Sequence, residues 1–244
     1  MQINIFKTEA EVLANLATYF VTIANQAIAK NGRCTVALSG GTSPKKLYEL
    51  LSSSTFKSKV QWRKIDFFFG DERNVPQTDK NSNYLMAKKS LFEPLQIEPA
   101  HVFAVDTSLE PDKAAAEYAA AISNYFGEGA IRFDLILLGL GDNAHTASLF
   151  PYTPVLYAHI ASIKSVFLED QKVYRITFTA PLINQANHVA FLVYGEAKAE
   201  AIHHVIEGSR DIENFPAQLI APAEGELQWF MDETAAAQLK NKIG

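Results

Sequence analysis

Over residues 9–30 the apolar positions recur at helical spacing: Val12, Leu13, Leu16, Phe20, Ile23, Ala24, Ala27 and Ile28 share one face. Asn31-Gly32 follows directly and predicts the stop, because glycine readily takes the left-handed backbone that closes a helix. Four short apolar runs come next, at residues 35–38, 65–69, 134–138 and 189–194. None alternates apolar with polar, which predicts strands buried on both faces, as in a parallel sheet. Helical stretches separate them at residues 44–51, 82–92, 112–126 and 196–206. Strands alternating with helices predict an α/β fold of three α/β/α layers, a mainly parallel sheet flanked by helices in a Rossmann-like manner. A further strand at residues 174–179, before Pro181, is expected to pair antiparallel at an edge. No repeat, low-complexity tract or linker interrupts the pattern, so residues 1–244 read as a single domain.

The polar residues fall where the apolar runs end. Leu38 leads into Ser39-Gly40-Gly41-Thr42-Ser43-Pro44, and Phe69 into Gly70-Asp71-Glu72-Arg73. Leu138 leads into Gly139-Leu140-Gly141-Asp142-Asn143-Ala144-His145-Thr146, and Tyr194 into Gly195-Glu196-Ala197-Lys198. In open α/β sheets, sites form beyond the carboxyl ends of the strands, so these four loops should converge on one crevice.

Each loop carries a distinct chemistry. In the first, glycines allow close backbone approach, Pro44 suits the first helical position, and Thr42 or Ser43 can cap the helix whose free N–H groups would hold a phosphate. It is neither a Walker loop nor GxGxxG, so a nucleotide is not indicated. In the second, Arg73 offers a fork of donors to a phosphate or an oxyanion, while Asp71 and Glu72 can accept sugar hydroxyls or orient Arg73. In the third, His145 is the candidate base, since an imidazole titrates near neutrality. Arg175 and Lys198 are further cations for an anionic ligand. Ser39 and Ser148 lie in no GxSxG elbow, which favours direct attack by water over an acyl-enzyme. His203 and His204 are adjacent on one predicted helix and face apart, and no metal site is expected.

Bulk properties narrow the class. Hydrophobic residues at 48% and charged residues at 20% exclude a disordered chain. A net charge of -5 without a basic stripe argues against nucleic acid as a partner. No apolar run approaches the roughly 20 residues that cross a bilayer, and the N-terminus lacks the build of a signal peptide. Cys34 is the single cysteine, which leaves no internal disulfide and no thiolate zinc cage. A cytoplasmic protein without a membrane partner is expected.

Together these segments resemble the 6-phosphogluconolactonase family, which shares a fold group with glucosamine-6-phosphate deaminases and ribose-5-phosphate isomerases. The resemblance runs in order through Ser39-Gly-Gly-Thr-Ser-Pro44, Gly70-Asp-Glu-Arg73, Leu138-Gly-Leu-Gly141 and His145-Thr-Ala-Ser-Leu-Phe-Pro151. It continues through Arg175-Ile-Thr-Phe-Thr179, Phe191-Leu-Val-Tyr-Gly195 with Lys198, and Gly225-Glu-Leu-Gln-Trp229. It implies hydrolysis of 6-phospho-D-glucono-1,5-lactone to 6-phosphogluconate in the oxidative pentose phosphate pathway, with no metal and no organic cofactor. By position, His145 is the base for the water; the loop from Ser39 to Ser43, Arg73 and Lys198 hold the phosphate and sugar, and Arg175 lines the same crevice. A small-molecule sugar phosphate is the implied partner, and a monomer or weak homo-oligomer the expected state. One departure concerns the site. The family reads Asp-Gly before this histidine, where this chain has Asn143-Ala144. Asn143 brings no negative charge to the base, and a positive φ at Ala144 would cost about 1 kcal/mol. Two other readings follow from these features. The fold group admits a hexosamine-6-phosphate deaminase or isomerase, against which the residues after His145 argue, and Asn143-Ala144 admits a non-catalytic sugar-phosphate-binding protein.

Overall fold

The first helix, α1 (Glu9–Asn31), is fixed at both ends by its flanking residues. Thr8 Oγ1 accepts from the Glu11 N–H, and the Glu11 carboxylate accepts from the Thr8 N–H in return. Gly32, at φ 79°, closes the other end by donating to the Ile28 carbonyl. By length and composition, a stretch of 18 residues within α1 reaches the range of a bilayer-spanning helix, which corrects the expectation that no segment does. Its apolar residues nevertheless lie on one face and are buried within the protein, the pattern of a core helix.

The computed structural model describes residues 1–240. Its strands are β1 (Gln2–Phe6), β2 (Cys34–Leu38), β3 (Ile65–Phe69), β4 (Asp71–Arg73), β5 (Leu135–Gly139), β6 (Ile163–Leu168), β7 (Val173–Phe178), β8 (His188–Val193) and β9 (Glu226–Asp232). Six of them form one parallel sheet in the order β1-β9-β8-β5-β2-β3. The other three form an antiparallel sheet in the order β4-β7-β6. The remaining helices are α2 (Thr42–Leu51), α3 (Asn83–Ala87), α4 (Glu93–Leu95), α5 (Pro111–Phe126), α6 (Ala180–Ile183) and α7 (Ala199–Ile206). One π-helical turn, Lys88–Phe92, joins α3 to α4.

The non-alternating runs are explained by two cores, one on each face of the parallel sheet. Val36, Phe67, Leu137 and Leu192 pack on the side of α1 and α2. Their neighbours Ala37, Phe68, Ile136 and Phe191 pack on the side of α5, α7 and the small sheet. Burying each large side chain contributes roughly 1.5–3 kcal/mol, so a polar residue in mid-strand would be costly on either face.

Several features differ from the expectations, among them the unforeseen strands β4 and β6 on either side of β7. β7 does lie antiparallel, but it is the central strand of a second sheet rather than an edge of the main one. β1 and β9 were not expected. Polar residues interrupt both, at Gln2 and Asn4 and at Glu226 and Gln228, because they fill the edge and next-to-edge positions of the sheet. Glu72 turns away from the expected crevice. Successive side chains of β4 alternate, which puts Asp71 and Arg73 on one side and Glu72 on the other. Only 1% exposed, its carboxylate accepts from the backbone N–H groups of Arg73 (2.8 Å), Asn83 (2.7 Å) and Tyr84 (2.8 Å) and from the Ser82 hydroxyl (3.2 Å). It thus holds the start of α3 against β4. Burial pushes its pKa up, and the three N–H groups oppose that shift.

Glu72→Ala would strand several buried donors at once. A loss of about 2–4 kcal/mol is expected in urea unfolding at an unchanged m-value. Wild-type stability in that variant would show that these donors do not depend on the carboxylate.

Candidate functional site

The chain moves outward from β2 to β3, then places its next parallel strand, β5, on the opposite side of β2. The loops that leave β2 and β5 therefore part from each other at their carboxyl ends and leave a crevice, the switch point where α/β proteins bind ligands. A cavity of about 390 Å³ lies there. It is lined by Ser39, Gly40, Gly41, Thr42, Ser43, Asp71, Arg73, His145, Arg175 and Lys198, together with Phe150, Gln171 and Tyr194. Of the residues expected from sequence, Glu72 is absent for the reason given above. Asn143 touches the site from behind, through His145.

The loop after β2 is clamped at its start. The Tyr48 hydroxyl accepts from the Ser39 N–H (3.0 Å) and donates to the Ser39 carbonyl (2.8 Å), so a buried side chain of α2 holds the turn that precedes it. A Cβ on Gly40 would lie 2.0 Å from Asn83 Oδ1, so any side chain there would have to displace the buried Asn83 amide from its hydrogen bond to the Asp71 carbonyl. Gly41, at φ 107°, is the N-cap of α2, and no side chain caps the helix. Neither Thr42 nor Ser43 serves as the expected cap, and Pro44 is the third helical residue instead of the first. Both lie inside the helix because the glycine turn starts it two residues early. The first N–H groups of a helix have no partner within it, so an uncapped N-terminus beside a cavity is suited to an anion.

Three cations border the same space. Arg73 and Arg175 sit directly opposite each other in the β4–β7 ladder. Like charges so placed repel, and among the described residues both Nε atoms are buried without a hydrogen-bond partner. Arg73 Nη1 donates to the Asn81 carbonyl (2.6 Å), and Arg175 Nη2 to Gln171 Oε1 (2.5 Å). Asp71, itself buried, accepts from the Ser148 hydroxyl (2.7 Å) and lies 4.0 Å from Arg175 Nη1. Burial pulls the Arg175 pKa down, and Asp71 opposes that. Lys198 pairs with Asp142 at 2.5 Å.

His145 is held on three sides. Its ring stacks on Phe150, with centroids 3.9 Å apart and planes 15° from parallel. Its edge abuts Gly141, where a Cβ would meet Nδ1 at 2.0 Å. Asn143 Oδ1 lies 2.5 Å from Nδ1 and also accepts the His145 backbone N–H at 3.3 Å. A backbone N–H only donates, which identifies the facing Asn143 atom as the oxygen. Nδ1 must then carry the ring proton, and Nε2 keeps its lone pair. Burial, the largest influence, lowers the His145 pKa to about 4; Asp71 and Asp142 oppose the shift, while Arg175 and Lys198 add to it. The ring is neutral at pH 7. Ala144 adopts φ 57° between these residues. Its N–H donates to the Gly141 carbonyl and its carbonyl accepts from the Ala217 N–H, both at 3.0 Å, so hydrogen bonds on both sides hold the strained turn.

Sequence reasoning gave no role to Tyr48, Asn83, Phe150 or Gln171 and considered Ser148 only as a nucleophile. Ser148 and Phe150 belong to the His145–Pro151 motif, whereas Tyr48, Asn83 and Gln171 act through hydrogen bonds that only the folded chain brings together. Among the described residues, no three His, Cys, Asp or Glu side chains are grouped to hold a metal ion.

Comparison with known proteins bears on this arrangement. A family model described as glucosamine-6-phosphate isomerases/6-phosphogluconolactonase matches residues 7–229. A 6-phosphogluconolactonase of Synechocystis sp. is 37% identical over 243 residues, covering 98% of each chain. One from Nostoc sp. is 37% identical over 241 residues, covering 97% of this chain and 98% of its own. The solved 6-phosphogluconolactonase of Trypanosoma cruzi superposes with a TM-score of 0.86 at 29% identity, covering 98% of this chain and 97% of its own. Matched by the family model over most of its length and by relatives from end to end, the chain belongs to the glucosamine-6-phosphate isomerase/6-phosphogluconolactonase family.

Proposed function

We propose that this protein is a 6-phosphogluconolactonase that hydrolyses 6-phospho-D-glucono-1,5-lactone to 6-phospho-D-gluconate. The observation that carries the reading is the shared cleft: an uncapped helix N-terminus, three cations and an imidazole with a free Nε2 line one cavity. Full-length relatives that bear the same name support it. The enzyme would work in the cytoplasm, as a single domain and as a monomer or weak homo-oligomer.

In this mechanism the loop from Ser39 to Ser43 receives the phosphate at the positive end of α2. Arg73, Arg175 and Lys198 offset its charge and that of the developing oxyanion. His145 Nε2 takes a proton from water, and the hydroxide adds to lactone C1. The tetrahedral intermediate collapses with cleavage of the bond from C1 to the ring oxygen. That oxygen takes the proton back from the imidazolium, so the base is restored and no group remains on the enzyme. Asn143 holds Nδ1–H throughout and keeps the ring in the tautomer the first step needs. Asp71, 4.0 Å from Arg175 Nη1, helps to keep the guanidinium directed at the cleft.

His145→Ala should remain folded and bind 6-phosphogluconate, while kcat falls about 10²–10⁴-fold above the spontaneous hydrolysis baseline. Near-normal turnover in that variant excludes His145 as the base.

The pH dependence has a defined sign. With its folded pKa lowered to about 4, His145 is in the base form above that value, and kcat should hold level down to about pH 5 and drop near pH 4. The unfolded chain takes up the proton near pH 6.5, so the group lowers stability progressively as pH falls from about 6.5 to 4. Asn143→Asp places an anion against Nδ1, favours the imidazolium and should move the acidic limb of kcat to higher pH. A limb that stays in place in that variant would disprove the coupling between residues 143 and 145.

A further inference from the structure

Gln171 reaches the cleft from an unexpected direction. It belongs to the turn between β6 and β7 of the small antiparallel sheet, not to a loop that follows a parallel strand, and Lys172 at φ 52° lies in the same turn. Its side chain nonetheless lines the cavity and receives Arg175 Nη2 on Oε1 at 2.5 Å. Arg175 is otherwise under-satisfied: its Nε is buried without a partner, its Nη1 is 4.0 Å from Asp71, and Arg73 faces it across the ladder. It also lies 5.8 Å from the centroid of Phe150, the ring on which His145 stacks, so its placement bears on the whole site.

We infer that Gln171 is a positioning and specificity residue, whose amide aims the Arg175 fork at the substrate's anionic group without neutralising it. The chemistry of the amide is what the position requires. A glutamate there would hold the guanidinium more tightly, as a charge-assisted pair, yet would cancel the charge the ligand needs. An alanine would leave the fork free to swing and another donor unpaired. Because Oε1 is committed to Arg175, the Gln171 Nε2 group is left as a neutral donor for a phosphate or hydroxyl oxygen. The β6–β7 turn thereby becomes part of the substrate site, and the ligand class it selects is a phosphorylated sugar in preference to its unphosphorylated counterpart. The inference rests on the sugar-phosphate reading given above.

A purely structural tie and this inference predict opposite orders. If Gln171 only anchors the turn, Gln171→Glu should match or improve on wild type in every respect. The inference expects Gln171→Glu to unfold at the same or a higher urea concentration, while its KM for the phosphorylated lactone and its Kd for 6-phosphogluconate rise about tenfold or more, with a smaller loss in kcat. Gln171→Ala should fall between it and wild type in Kd and lose a little stability. Wild-type Kd in Gln171→Glu overturns the inference. Calorimetric binding of inorganic phosphate to the same three proteins separates the two readings: if wild type binds phosphate but accelerates no lactone hydrolysis, the proposed activity fails while the order of phosphate affinities still decides the role of Gln171. Absence of phosphate binding by wild type overturns both.

Discussion

The structure depends on the burial of both faces of its parallel sheet. β2, β3, β5 and β8 each send alternate residues into two separate cores, so a charged group along them needs dedicated partners, as Asp66 of β3 has in His101 and Tyr125. The other reactive side chains are thereby gathered at the strand ends. At the carboxyl edge, the divergence of chain paths between β2 and β5 opens the space in which they meet.

The electrostatics of the cleft run against those of the protein as a whole. A chain of net charge -5 gathers Arg73, Arg175, Lys198 and an uncapped helix N-terminus around one cavity. The concentration of positive charge suits an anionic ligand, and it also keeps His145 unprotonated. Burial does most of this, and the two nearby cations add to it. Asp71 balances the arrangement, since it lies 4.0 Å from Arg175 and favours the protonated form of His145. The same charges that suit an anionic ligand therefore also set the proton affinity of the imidazole.

The turn at Asn143-Ala144 holds His145 through a strained backbone and a neutral side chain. Ala144 bears a left-handed backbone at a cost of roughly 1–2 kcal/mol relative to a favoured region. Hydrogen bonds to Gly141 and from Ala217 hold it there. Asn143 supplies a neutral acceptor in place of a carboxylate, which preserves the orientation and tautomer of His145 while leaving it less basic than a paired anion would.

The alternation of buried strands with helices was legible from the chain alone, because unbroken apolar runs and a 3.6-residue period are local properties that burial enforces. So were α1, with its glycine stop, and the loops at the strand ends, where glycine and reactive residues cluster beside apolar runs. Glu72 was misplaced because neighbouring residues of a strand point oppositely, a fact that composition does not reveal without knowing which side faces the ligand. β1 and β9 escaped notice because strands at and beside a sheet edge can carry polar residues without penalty. Gln171 and Phe150 lie close in the chain to Arg175 and His145, but only the folded loops turn those side chains onto one another, and Asn83 meets Asp71 and Glu72 from a separate element. The sequence by itself determined the layers and the chemical groups available at their ends. Tertiary structure alone decided which of those groups face one another, because that choice depends on strand order and on side-chain contacts between segments the chain keeps apart.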